Sequence, residues 1–202
     1  ETQRFEEIDN TLTEEEDGRY IRNGKNGFMA KFSCEATTDE LFSMEHGMHR
    51  VTIFSKKNKK RQQQGVIPKL HRKADHTLAA TDSLVFEDVE SGVDMEYSVT
   101  GSGVKENILI RQRADVYRFP FLVHCESVCV QYDEADQRVA FLSNETGEEV
   151  FFIPSPFMSD AAGNVSTDVT YEVKPAENGD IQLTVSADSE WINAAERAFP
   201  VT

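Results

Sequence analysis

Short runs in which apolar and polar residues alternate recur along the whole chain. Phe28, Ala30 and Phe32 are interleaved with Met29 and Lys31, and Val93, Met95, Tyr97 and Val99 with Asp94, Glu96 and Ser98. The same pattern returns at Val128, Val130 and Tyr132, at Val139 and Phe141, at Val169, Tyr171 and Val173, and at Ile181, Leu183 and Val185. Successive side chains of a strand point to opposite faces, so each run predicts a strand with one wet and one dry side. Between the runs stand Asn23-Gly24, Asn26-Gly27, Gly101-Ser102-Gly103, Thr146-Gly147, Gly163-Asn164 and Asn178-Gly179, the residues that tight reversals require. Short strands joined by such turns form antiparallel meanders, and a sheet with one apolar face needs a second sheet to cover it. The expected fold is all-β: an antiparallel β-sandwich, or an extended multi-strand version of one.

One segment breaks the period. Residues 188–197 begin with the capping residues Asp188 and Ser189, are rich in Ala, and stop before Pro200, which predicts one short C-terminal helix. A helix of two or three turns does not stand alone, so Trp191 and Ile192 are expected to plug the end of the sandwich, with the indole in the core.

Hydrophobic residues make up 39% of the 202, below the ~45–50% of ordinary globular domains, so the core is thin. The length suits one or two domains of roughly 100–200 residues. A basic, aperiodic stretch runs from Lys56-Lys57-Asn58-Lys59-Lys60-Arg61 to about Thr81. It is a possible sub-boundary between 1–55 and 82–202, although both parts are expected to join one unit spanning 1–202. The chain opens without Met and ends mid-pattern at Phe199-Pro200-Val201-Thr202, which reads as a piece cut from a longer protein.

With 21 Lys and Arg against 36 Asp and Glu, the formal net charge is −15. Such a charge repels phosphate backbones and anionic lipid, so no nucleic-acid partner is expected. No stretch approaches the ~20 apolar residues that span a bilayer, and no membrane insertion is expected.

The candidate sites are few. Cys34, Cys125 and Cys129 are too few for a disulfide framework and are expected to be free, largely buried thiols. His124, Cys125 and Cys129 lack the spacing of a zinc site and fall in an apolar strand pattern, so they are assigned to the core; His71 and His76 lie five apart in a polar loop. Asp133-Glu134-Ala135-Asp136 has no phosphate loop to accompany it and reads as a hairpin tip. Asp160 and Asn164 flank a glycine turn and are the one weak calcium candidate; the competing reading is a turn in which the side chains bond local backbone. No nucleophile elbow, metal-His motif or cofactor motif occurs, so neither catalytic residues nor a cofactor are assigned.

From Leu84 onward the chain resembles the segment that precedes the repeats in RHS (YD-repeat) wall-associated bacterial surface proteins, often beside DNRLRE domains. The stretches that carry the resemblance are Val85-Phe86-Glu87-Asp88-Val89 with Gly92-Val93-Asp94-Met95-Glu96-Tyr97, then Gly103-Val104-Lys105-Glu106-Asn107-Ile108-Leu109. They continue with residues 147–160, containing Phe151-Phe152-Ile153-Pro154-Ser155-Pro156, and close with Asp188-Ser189-Glu190-Trp191-Ile192, Arg197 and Phe199-Pro200-Val201. The resemblance implies an extracellular, wall-associated location and a much longer chain. It implies a non-catalytic structural or interaction module, not an enzyme, that contacts other segments of its parent, or a surface protein or glycan. The alternative is a carbohydrate-binding β-sandwich, for which Tyr20, Tyr117 and Tyr132 are the ligand candidates.

Overall fold

The computed structural model describes residues 7–35, 39–55, 68–70 and 81–202. The basic run Lys56–Arg61 and the histidines His71 and His76 lie outside the described residues. The rest is mostly antiparallel sheet, with one short helix.

The largest sheet has eight strands. It is built from β1 (Leu12–Glu14), β2 (Tyr20–Asn23), β3 (Met29–Ser33), β4 (Glu40–His46) and β5 (His49–Ser55), which follow one another as a meander. It is completed by β10 (Tyr117–Glu126), β17 (Ile181–Ala187) and β16 (Val169–Pro175), in the order β1-β2-β3-β4-β5-β10-β17-β16. Strands from both sides of the basic stretch therefore share one sheet. Opposite it stands a four-stranded sheet of β6 (Lys69–Leu70), β7 (Ser83–Glu90), β8 (Val93–Val99) and β9 (Val104–Ile110). Smaller additions are the three-stranded β11 (Val128–Asp133), β12 (Arg138–Ser143) and β13 (Glu149–Ile153), and the ribbon of β14 (Met158–Ser159) with β15 (Val165–Ser166).

The two main sheets meet as the alternation requires. Phe32 and Phe42 from the large sheet pack on Tyr97 from the smaller one, with ring centroids 5.6 and 5.0 Å apart, and Phe86 meets Tyr97 edge-on at 5.8 Å. Tyr97 is fully buried, yet its hydroxyl reaches out to donate to Glu106 Oε1 at 2.6 Å. Burying each such aromatic on folding contributes on the order of 1.5–3 kcal/mol.

β10 is the central strand. Its residues Tyr117–Val123 pair with β17, and Phe121–Glu126 pair with β5. Proline in a central strand removes a ladder donor. Pro120 pairs with Thr184 of β17, and among the described residues the β5 pairing begins one residue later, with Phe121 opposite Ser55.

Two expectations need correction. The helix α1 spans Ser189–Asn193, shorter than 188–197. Asp188 caps it, accepting from Trp191 N at 2.7 Å, but Asn193 is drawn off by Tyr117 and Ala114, Arg113 Nη2 takes the Ala194 carbonyl, and Ala194 leaves helical geometry. The plug is Ile192, which is fully buried, whereas Trp191 is half-buried beneath the Arg197 guanidinium, 4.5 Å from the ring. Among the described residues no helix is long and apolar enough to cross a membrane, which says nothing of spanning by strands.

Candidate functional site

A set of acid–base groups that includes an imidazole lies on the outer face of the large sheet, around the end of β10. There Val123 is buried, and the alternation turns His124 and Glu126 outward. Register sets Glu126 opposite Arg50 and Arg50 opposite Glu45, while His124 stands opposite Thr52. His124 Nδ1 lies 2.7 Å from Asp180 Oδ1, just past the end of the β10–β17 pairing, and its Nε2 is 3.8 Å from Glu126 Oε1. The side chain of His124 is 42% exposed and that of Asp180 14%. Arg50 is shared between Glu45 at 2.7 Å and Glu126 at 3.3 Å. The group thus offers an imidazole fixed through one nitrogen, a neighbouring carboxylate and a guanidinium already held by two carboxylates.

This corrects the assignment of His124 and Cys129 to the core, whereas Cys125 faces inward and packs against it. Ser127, between β10 and β11, has a positive φ of 60°. It resets the phase of the alternation: odd-numbered residues face inward before it and even-numbered ones after it. His124 is accordingly half-exposed and Cys129 exposed, while Cys125 is intermediate. All three cysteines are free. Burial pushes the Cys125 thiol up to about 12, with the charges of Asp180 and Cys129 adding to it, and burial likewise pushes Cys34 up to about 11. Both therefore stay protonated and unreactive near neutrality.

A second histidine pairing was invisible in the sequence. His49 Nε2 lies 3.0 Å from Ser143 Oγ, joining β5 to β12. The same hydroxyl accepts from the N–H groups of Glu145 and Thr146, each at 3.3 Å, and Ser143 is buried, so the pair locks a turn and presents no nucleophile.

Asp160 and Asn164 come together as a closed turn. Asp160 Oδ1 accepts from the backbone N–H of Ala162 and Asn164 at 3.0 and 2.9 Å, and Oδ2 accepts from Asn164 Nδ2 at 2.9 Å and Arg197 Nη1 at 3.3 Å. The Asn164 side-chain bond is the largest influence that lowers the carboxyl to about 2. Its oxygens are directed at N–H donors, as in a turn that bonds local backbone.

The three tyrosines do not gather. Tyr20 lies on β2 under Lys31, whose Nζ is 5.7 Å from the ring centroid. Tyr117 is buried, its hydroxyl donating to Asn193 and accepting from Ala114 N. Tyr132, on β11, donates to the Tyr171 carbonyl at 2.7 Å and pins the three-stranded sheet against the edge strand β16. Asp133 Oδ1 closes the tip of the β11–β12 hairpin by accepting from Ala135 and Asp136.

Most cations on the described surface face carboxylates. Arg19 meets Glu35, Lys31 and Arg22 meet Glu15, Arg111 meets Asp88 and Asp94, Arg118 and Lys174 meet Glu172, and Arg138 meets Glu149. A phosphate approaching any of them competes with an anion already in place.

Comparison with known proteins alters the functional reading. No family model matches the chain, and no solved structure matches it. Three curated relatives do: the tRNA3(Ser)-specific nuclease WapA of Bacillus spizizenii, the tRNA nuclease WapA of Bacillus subtilis strain 168, and the tRNA(Glu)-specific nuclease WapA of Bacillus subtilis subsp. natto. Each is 28% identical over 185 residues, covering 88% of this chain and 7% of the relative. The relatives are thus named as tRNA nucleases and not as RHS or YD-repeat wall-associated proteins. That overturns the resemblance drawn above, together with the readings that followed from it or from charge: a non-catalytic module, a sugar-binding alternative, no enzyme and no nucleic-acid partner. The charge argument failed for a physical reason. Net charge describes the stretch that is read, and this chain spans 7% of the length of the curated relatives it matches.

Proposed function

We propose that the protein carrying this sequence acts as a tRNA nuclease. One observation supports the reading: likeness over 88% of the chain to three proteins named for that activity. Because the chain covers 7% of their length, the activity is proposed for the protein as a whole. Cutting RNA needs a base for the attacking oxygen, an acid for the leaving oxygen and cationic groups for the charge that builds on phosphorus. Among the described residues His124, paired with Asp180 and next to Glu126, comes nearest to the acid–base part. The cationic part would fall to Arg50, and a phosphate would first have to displace Glu45 or Glu126 from it.

The test is to incubate the purified protein with total tRNA and sequence the ends of the products. A discrete break in one tRNA species, absent after heat inactivation, is expected; intact tRNA throughout overturns the reading. Run alongside, His124→Ala divides the next question. Lost cutting at an unchanged melting temperature assigns the acid–base step to this pair, and undiminished cutting assigns it to other residues. A secreted, wall-associated location is a separate proposal, tested by whether protease added to intact cells reaches the protein.

A further inference from the structure

Two Asn-Gly pairs sit on either side of Lys25, the first at the end of β2 and the second in the connection to β3. At such pairs the backbone nitrogen of the glycine can attack the carboxamide of the asparagine, because glycine has no Cβ to hinder the approach, and asparagine is among the thermolabile residues for this reason. The fold treats the two pairs differently. Asn23 is buried at 1% exposure, with its carboxamide engaged across the hairpin: Oδ1 accepts from Ala30 N at 2.8 Å and Nδ2 donates to Phe28 O at 3.2 Å. Asn26 instead accepts from its own neighbour, the Gly27 N–H donating to Asn26 Oδ1 at 2.6 Å. Gly27 is exposed, with nothing within 4 Å of the place a Cβ would occupy. Asn26 Nδ2 is held from the far side by Asn10 Oδ1 at 2.7 Å and Thr100 O at 3.1 Å.

Nucleophile and carboxamide are thus kept against each other, open to water, by bonds that stop the side chain from turning away. We propose that Asn26 is a site of spontaneous deamidation in the folded protein and that Asn23 is shielded from it. The Gly27 nitrogen gives its proton to hydroxide and bonds to Asn26 Cγ. The Cγ–Nδ2 bond breaks, and ammonia leaves with a proton taken from water. Water then opens the five-membered imide at either carbonyl, leaving an aspartyl or isoaspartyl residue at position 26. The balance is one water in and one ammonia out, with no oxidant or reductant. The product loses both Nδ2 donors and sets a carboxylate against the Asn10 and Thr100 oxygens. Thr100 follows β8, so the bond that is lost ties the large sheet to the smaller one.

The experiment holds the folded protein in mildly alkaline buffer at physiological temperature and reads each position by fragment mass spectra, with a urea-unfolded sample in parallel. In the folded protein, conversion at Asn26 is expected to outpace that at Asn23 by at least about tenfold, a barrier difference of about 1.4 kcal/mol. It is also expected to be no slower than at Asn26 in urea. Conversion at Asn26 that is slower folded than unfolded, or no faster than at Asn23, overturns the proposal. Gly27→Ala is expected to suppress the reaction in the folded state, and an unchanged rate in that variant likewise overturns it. Asn26→Asp, which carries the product charge from the start, is expected to melt below the parent protein; equal melting removes the claim that the tie between the sheets is loosened.

Discussion

Asp160 joins separate stretches of chain through one carboxylate, binding its own turn at Ala162 and Asn164 and the segment after α1 at Arg197 and Ala198. Its carboxyl is held at about 2, below the ordinary 3.8, first by the Asn164 side chain. A lowered folded value means stability that is present above the unfolded value and lost as pH falls through the folded one. Thermal melts of the parent protein should therefore drop between about pH 4 and pH 2. Asp160→Asn should start lower at neutrality and lack that part of the acid limb; parallel curves for the two proteins would disprove the assignment. The motif around Asp160 was readable from the sequence as a glycine turn with oxygen ligands, but its pairing with a guanidinium was not, since Arg197 is supplied from far along the chain. Trp191 teaches the same lesson in reverse. A lone tryptophan on a capped helix suggests a core plug, yet its neighbour Ile192 takes the interior and Arg197 covers the indole. Ile192→Ala should cost about 2–5 kcal/mol in denaturant unfolding, and Trp191→Ala clearly less; the reverse ranking would restore the tryptophan as the plug.

Strands were the most readable elements, because a period of two is written directly into the residues. The run Val93–Val99 is β8 residue for residue, and the runs beginning at Val128, Val169 and Ile181 open β11, β16 and β17. Harder to read was β10, where Pro120 argues against an interior strand although it pairs with Thr184 of β17. A φ value cannot be read from composition either, so the phase reset at Ser127 went unseen and carried His124 and Cys129 with it. The docking of the two main sheets rests on the Phe32, Phe42, Phe86 and Tyr97 cluster. A double-mutant cycle on Phe42→Ala and Tyr97→Ala should give a double loss smaller than the summed single losses by a coupling of about 0.5–1.5 kcal/mol. Additive losses would mean that the rings fill space without binding one sheet to the other.

For the molecule as a whole, an all-β architecture could be deduced from alternation, but strand order could not, because pairing between distant runs leaves no local trace. The function was less readable still. The His124, Asp180, Glu126, Arg50 and Glu45 group is assembled from three strands and a turn, and although His124 and Glu126 share β10, their partners come from distant parts of the chain. Its chemistry became visible only with the register. That register also sets the order in which the chain can become a protein. Phe121 pairs on one side with Ser55 and on the other with Leu183, one far behind it and the other far ahead. Closing loops of that length comes before any contact rewards it, and folds dominated by such distant pairings reach their native state in milliseconds to seconds, not microseconds. On a ribosome the meander β1–β5 and the sheet β7–β9 can form from what has already emerged. β10 then waits with one edge bare until β17 arrives, so the interval between the synthesis of Phe121 and that of Leu183 is when an unpaired edge is open to the wrong partner.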